Sequence, residues 1–102
     1  MRVDYRKVRK VRGYASKREA DMAMKLNALA RAGAITELDE QVRYELIPNQ
    51  EGERACHYIA DFRFRDADGR IVVMDTKGFK TEVYRIKKKL MLQVHGIRIE
   101  EA

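Results

Sequence analysis

The order of patterns along the chain predicts an α/β fold: a helix, a three-stranded meander, a second helix and a last strand, with a mixed central sheet flanked by the helices. Three observations carry that expectation. Apolar residues recur at spacings of three and four in two stretches, near 16–30 and 82–94. Between them the pattern alternates, over 40–48 and again over 58–77. Clusters of Gly, Asn, Asp and Pro separate these stretches, and 102 residues suffice for one core but not two.

Each element follows from its residues. Residues 1–14 lack clean periodicity and read as a basic arm, with a short strand around Val8 to Val11; residues 15–102 form the single domain. From Ser16 the pattern is helical. Ala15, Glu19, Met22, Ala23, Leu26, Leu29 and Ala30 share a stripe, Ser16 suits the N-cap, and Gly33 lies just past the end. In "EQVRYELIP", residues 40–48, Val42, Tyr44 and Leu46 face one way and Gln41, Arg43 and Glu45 the other, and Pro48 stops the strand. Asn49 to Arg54 is a polar turn. "YIADFRFRDADGRIVVMDTKG", Tyr58 to Gly78, is a hairpin. Thr81 caps a second helix over about 82–94, with Val83, Ile86, Leu90 and Val94 inward. Tyr84 packs in the core and Phe79 in the turn, although either could stack on a base. Gly96 ends the helix, and residues 97–99 make the last strand.

Composition narrows the function. Apolar residues make up 45% and charged residues 37%, and the net charge is +6, which favours a polyanionic partner, nucleic acid first and an anionic membrane surface second. The excess is concentrated. Arg2, Arg6, Lys7, Arg9, Lys10 and Arg12 stand against Asp4 in the arm, and Lys77, Lys80, Arg85, Lys87, Lys88 and Lys89 against Glu82 further on. The single cysteine, Cys56, excludes an internal disulfide and fits a reducing compartment. One cysteine and two histidines in no ligand spacing exclude a structural zinc site. No apolar run approaches the roughly 20 residues that span a bilayer. The expectation is a cytoplasmic protein with no membrane partner and no small-molecule cofactor.

The hairpin holds the chemistry. "ADG", Ala67 to Gly69, fits a three-residue loop closed by a left-handed glycine. Asp66 then faces Arg70, and Asp61 faces Asp75; a four-residue loop would instead pair Asp61 with Met74. Opposed carboxylates repel in a sheet, and a hard divalent cation such as Mg²⁺ is one way to neutralise them. Lys77 follows Asp75 on the same face. Metal and lysine together suit phosphodiester cleavage, the metal activating water and both offsetting developing charge. The alternative is a pair of exposed edge aspartates balanced by Arg63 and Lys77. Glu19 also admits two readings. It lies on the inward stripe, as a metal-site residue would, and it completes a capping box with Ser16.

With Glu19, Asp61, Asp75 and Lys77 assembled, the chain resembles the PD-(D/E)xK nuclease superfamily over Ser16 to Ile99: "SKREA" carries the helical glutamate, "IAD" the first aspartate and "MDTKG" the (D/E)xK element. "SKREAD", "YELIPNQ", "YIADFRF" and "DTKGFKTEVYRIKKKL" more closely resemble a family of small phage and prophage proteins long catalogued as a domain of unknown function. Ala60 stands where the superfamily signature has proline. The resemblance implies a restriction-endonuclease-like core. Asp61 and Asp75 would ligate Mg²⁺, for which Mn²⁺ can substitute, and Glu19 would do so directly or through water. Thr76 would offer mainly its carbonyl, its side chain facing away, and Lys77 would be the catalytic lysine. Nucleic-acid contacts would come from Lys87, Lys80, Arg85, Lys88, Gln41 and Arg12.

The expected function is a metal-dependent phage-type DNA endonuclease that is structure-selective, a Holliday-junction or branched-DNA resolvase acting as a homodimer. A nicking or exonuclease role in phage recombination is one alternative, and a non-catalytic nucleic-acid-binding module on a nuclease fold is another.

Overall fold

Two helices and a four-stranded sheet make up the computed structural model, which describes residues 13–76 and 78–102. The strand expected around Val8 to Val11, Arg12 and Lys77 lie outside the described residues. Ser16 opens helix α1 (Lys17–Arg31) from an extended backbone, its Oγ accepting from Glu19 N at 3.1 Å. Ala32 is the C-cap, and Gly33 follows at φ +81°, the left-handed residue that ends a helix and that only glycine adopts without strain. The helix buries Glu19, Ala20, Ala23 and Leu26, whereas Ala15 precedes it and is exposed.

Strand β1 (Thr36–Ile47) begins four residues earlier than the alternation suggests, and its pairing with β2 (Cys56–Arg65) supplies the reason. Glu37 and Asp39 receive Arg65 and Arg63 across the ladder at 2.9 and 2.7 Å, so a stretch too acidic to read as a strand is balanced by its neighbour. β2 turns into β3 (Ile71–Asp75) through the expected three-residue loop. Asp66 N donates to Arg70 O at 2.8 Å, Gly69 N to Asp66 O at 3.0 Å, and Gly69 lies at φ +84°. The Asp66 carboxylate accepts from the Asp68 and Arg70 amides at 2.9 Å, which locks the turn and with it the register.

Helix α2 (Glu82–His95) returns the chain so that β4 (Glu100–Glu101) pairs parallel to β3. The sheet order is β1-β2-β3-β4, antiparallel up to β3, so the sheet is mixed as expected. The last strand lies at 100–101 and not at 97–99; Ile97 and Ile99 instead pack into the core, and the ladder forms only where the chain reaches Met74 and Asp75. Thr81 accepts from Tyr84 N at 3.0 Å, and Gly96 closes the helix at φ +68°.

The helices cover opposite sides of the sheet. Phe62, Phe64, Val72 and Met74 cluster with Ala23 and Leu26 of α1, while Tyr58, Ala60, Val73 and Leu46 cluster with Tyr84 and Met91 of α2. Strict alternation fails at one level. Ala60, Asp61 and Phe62 are all buried, and the residues before and after Asp61 pack in different clusters. β1 does the same around Gln41, which has φ +55°: Leu38 packs with α1, and Tyr44 and Leu46 with α2. Both strands therefore change face where Gln41 and Asp61 lie.

The inward stripe of α2 differs from expectation. Tyr84 and Met91 are buried and Leu90 is half-buried, but Val83, Ile86 and Val94 are exposed. The two stripes are about a quarter-turn apart, and the sheet takes the larger aromatic and thioether side chains. Phe79 is 81% exposed and does not pack in the turn. Among the described residues no helix is long and apolar enough to cross a membrane.

Candidate functional site

The ladder between β2 and β3 runs from Arg65 opposite Ile71 to Phe62 opposite Met74. One step beyond its end lie Asp61 and Asp75, and the two carboxylates meet there, one oxygen of each accepting from Thr76 N at 2.9 Å. Both are buried, Asp75 completely, and Arg63 reaches away to Asp39. The exposed-edge reading of the pair is therefore set aside.

Thr76 stands between the two carboxylates. Its amide donates to Asp61 Oδ2 and to Asp75 Oδ1, each at 2.9 Å, and its Oγ1 donates to Asp61 Oδ2 at 2.8 Å. Two carboxylate oxygens thus lie within one hydrogen-bond length of a single nitrogen. The Thr76 side chain faces the site, contrary to expectation, because β3 ends at Asp75 and the alternation rule stops with it.

Tyr58 was not foreseen. Its hydroxyl donates to Asp75 Oδ2 at 2.5 Å from a ring that is 4% exposed. It lies three positions before Asp61, and alternation would place the two on opposite faces; the interruption of β2 at Asp61 removes that rule. The motif "YIAD" is the one signal in the chain, and it is silent without the break. Tyr58 stacks at a tilt on Tyr84, with ring centroids 6.4 Å apart, and Tyr84 OH donates to Glu101 Oε2 at 2.8 Å. No buried side-chain nitrogen or oxygen among the described residues lacks a hydrogen-bond partner. The buried charges are therefore embedded in a satisfied network.

Glu19 and Gln41 meet on the α1 side. Gln41 Nε2 donates to Glu19 Oε2 at 2.9 Å, and Gln41 lies at the level of Asp61, since Glu40 pairs with Phe62 and Val42 with Ala60. The positive φ of Gln41 is what allows an exposed strand residue to reach the helix at this point. Ser16 Oγ provides its half of the capping box; the Glu19 carboxylate engages Gln41, and no bond from the Ser16 amide to it occurs among the described residues. The first turn of α1 also touches the end of the sheet. Arg18 donates to Ala102 O at 3.1 Å, and Ala102 N donates to Asp75 O at 2.9 Å.

The site therefore brings Asp61, Asp75 and Thr76 together, with Glu19 one residue removed through Gln41. Among the described residues no three of His, Cys, Asp and Glu converge in ligating geometry. Mg²⁺ is commonly held by one or two carboxylates, with waters and phosphate oxygens completing its shell. The paired carboxylate oxygens of Asp61 and Asp75 are of the kind such an ion takes, with Glu19 outside the immediate set. Of the cations expected to meet nucleic acid, Lys88 and Lys80 lie 3.1 and 4.0 Å from Glu101, Lys87 is half-buried, and Arg85 is exposed.

Burial first, and then the bond to Asp75, push the Tyr58 hydroxyl far above the ordinary phenol range; burial and then Glu101 do the same to Tyr84. Both phenols ionise near pH 10 in the unfolded chain but stay protonated beyond it in the folded one. The stability they contribute is complete below about pH 10 and is lost as pH rises further, at about 1.4 kcal/mol per pH unit for each tyrosine. Urea unfolding between about pH 9 and pH 11 measures this slope. It should flatten in Tyr58→Phe; an unchanged slope would mean that Tyr58 is not held as described.

The model of the family described as "Protein of unknown function (DUF1064)" matches residues 4–99, and the chain belongs to that family. No curated protein and no solved structure matches the chain.

Proposed function

We propose that this member of the family is a metal-dependent DNA endonuclease with a restriction-endonuclease-like core of the PD-(D/E)xK type. One observation carries the reading: two buried aspartates meet at the end of a hairpin, the second of them two residues before a lysine in the sequence, in a basic chain. The order helix, three-strand meander, helix, parallel strand is consistent with it.

In this reading Asp61 and Asp75, with the Thr76 carbonyl, hold Mg²⁺ or Mn²⁺, which when bound activates water and neutralises charge at the scissile phosphate. Thr76 and Tyr58 fix the carboxylates by donating to Asp61 Oδ2 and to both oxygens of Asp75. Such fixed orientation is what a transition-state site needs, since the polar groups then need not reorganise during reaction. Gln41 holds Glu19 beside the pair, where it can act through water. Lys77, on sequence grounds, orients the attacking water or assists the leaving oxygen. Lys87, with Arg12 from the arm, would contact the phosphate backbone, giving affinity with a steep salt dependence. A small chain of this kind suits branched DNA, and a homodimer would cut two strands.

A second reading, a non-catalytic DNA-binding module, is favoured by one feature: Thr76 and Tyr58 donate hydrogen bonds to the aspartates, as the members of a structural polar cluster would. Two measurements separate the readings. Labelled duplex, single strand, fork and four-way junction are incubated with Mg²⁺, Mn²⁺ or EDTA; metal-dependent cutting, strongest on the junction, is the expected result. Binding of all four without cutting under either metal would overturn the enzymatic reading. Thermal unfolding supplies a readout independent of activity. An ion that binds only the folded state, at about 100 times its dissociation constant, stabilises by about 2.7 kcal/mol.

A further inference from the structure

A groove of about 550 Å³ lies between α2 and β4, on the flank of the helix away from Lys87. Its composition differs from that of a surface that only neutralises phosphates. Ile99, 5% exposed, forms part of its lining, and Ile86 and Leu92 border it at 53% and 42% exposure. No aromatic residue lines it among the described residues, so a base has nothing on which to stack. Five cations stand around this apolar strip against only Glu82 and Glu101.

Those cations divide in two. Lys80 and Lys88 are engaged by Glu101, whose Oε2 lies 3.1 Å from Lys88 Nζ and also accepts from Tyr84 OH. The chain's own carboxylate thus already occupies one end of the groove, and these contacts draw the Glu101 carboxyl below its ordinary range, the Tyr84 bond first and Lys88 next. Arg85, Lys89 and Arg98 form no ion pair among the described residues. Three uncommitted cations therefore line a groove whose other end shows how a carboxylate is received, beside isoleucine and leucine side chains left open to water.

We infer that this groove docks an acidic peptide segment of a partner protein, with carboxylates on Arg85, Lys89 and Arg98 and an apolar side chain against Ile86, Leu92 and Ile99. Charge complementarity selects the partner's sign, and the exposed apolar strip selects a peptide over a phosphate backbone, which would leave that strip uncovered. A second copy of this chain is a poor occupant, because its α2 would bring like charges together. The inference does not rest on the nuclease reading and stands or falls separately from it.

Fluorescence anisotropy with the full chain tests it. The probes are a labelled peptide of aspartates and serines carrying two leucines, its leucine-to-alanine counterpart of equal charge, and oligothymidylate of the same net charge. The leucine peptide should bind, and its alanine counterpart should bind roughly tenfold more weakly, the equivalent of losing one buried leucine contact. Arg98→Glu and Ile86→Ser, both at exposed positions, should each weaken the leucine peptide by about tenfold. Lys25→Glu, on the exposed side of α1, should leave it within about twofold. Equal binding of the two peptides, or tighter binding of oligothymidylate that Arg98→Glu abolishes, would overturn the inference and make the groove a phosphate track. No peptide binding at all would overturn it equally.

Discussion

Asp75→Asn should lose at least about 100-fold in DNA cleavage while remaining folded. Replacing an outer-shell partner of a metal costs roughly 10–100-fold, and Asp75 is proposed to act directly. The substitution keeps size and removes charge from a side chain that is completely buried. Asparagine offers one acceptor oxygen where Asp75 offers two, so it can receive Tyr58 or Thr76 but not both. That loss is offset in part by relief of the repulsion between facing carboxylates. Cleavage rate, circular dichroism and the Mn²⁺-dependent rise in melting temperature should be measured on the same preparation. The expected result is native dichroism, with cleavage and the Mn²⁺ effect both gone. Undiminished cleavage would remove Asp75 from the chemistry. Glu19→Gln is the companion variant: the Ser16 cap is untouched by it, so a folded protein with lost cleavage would assign Glu19 to the site.

Thr76→Val should destabilise the fold by about 1.5–3 kcal/mol, the range for a hydrogen bond to a charged group. The hydroxyl donates at 2.8 Å to a carboxylate that is itself buried, and valine matches the shape of threonine without the donor. Asp61 would then keep only one of the two hydrogen bonds that Thr76 gives it. In a domain of this size the melting temperature should fall on the order of 10 °C. Thr76→Ser retains Oγ1 and should recover most of the loss. If valine proves no worse than serine in thermal unfolding at neutral pH, the hydroxyl is not what holds the aspartates.

Wherever a few neighbouring residues decide, the chain is legible. Ser16, Thr81 and Gly96 mark helix ends because the orphan backbone groups of a helix are met by the residues adjoining it. Asp66 to Arg70 sets the hairpin register because a three-residue loop with a left-handed glycine admits one pairing. That register is enough to oppose Asp61 and Asp75. The identity of two of the site's central residues follows from sequence for the same reason, whereas Glu19 reaches the site through a contact between distant segments.

Contacts between distant segments decided the rest. α2 carries two apolar stripes, and only the sheet and Ile99 determine that Tyr84 and Met91 go inward while Val83, Ile86 and Val94 face water. The strands change face at Gln41 and Asp61, which needs a backbone conformation at Gln41 that its residue type does not announce. That change brings Tyr58 to Asp75 and Gln41 to Glu19. Thr76 turns inward because β3 stops one residue before it, a boundary set by where β4 and Ala102 meet the strand. Rules that act within a turn or a pleat place the helix ends, the hairpin and its paired aspartates from the sequence alone; the extent of β1 and β4 and the donors that stabilise those aspartates come from the packed fold, because a buried charge takes its partners from whatever lies within hydrogen-bond reach.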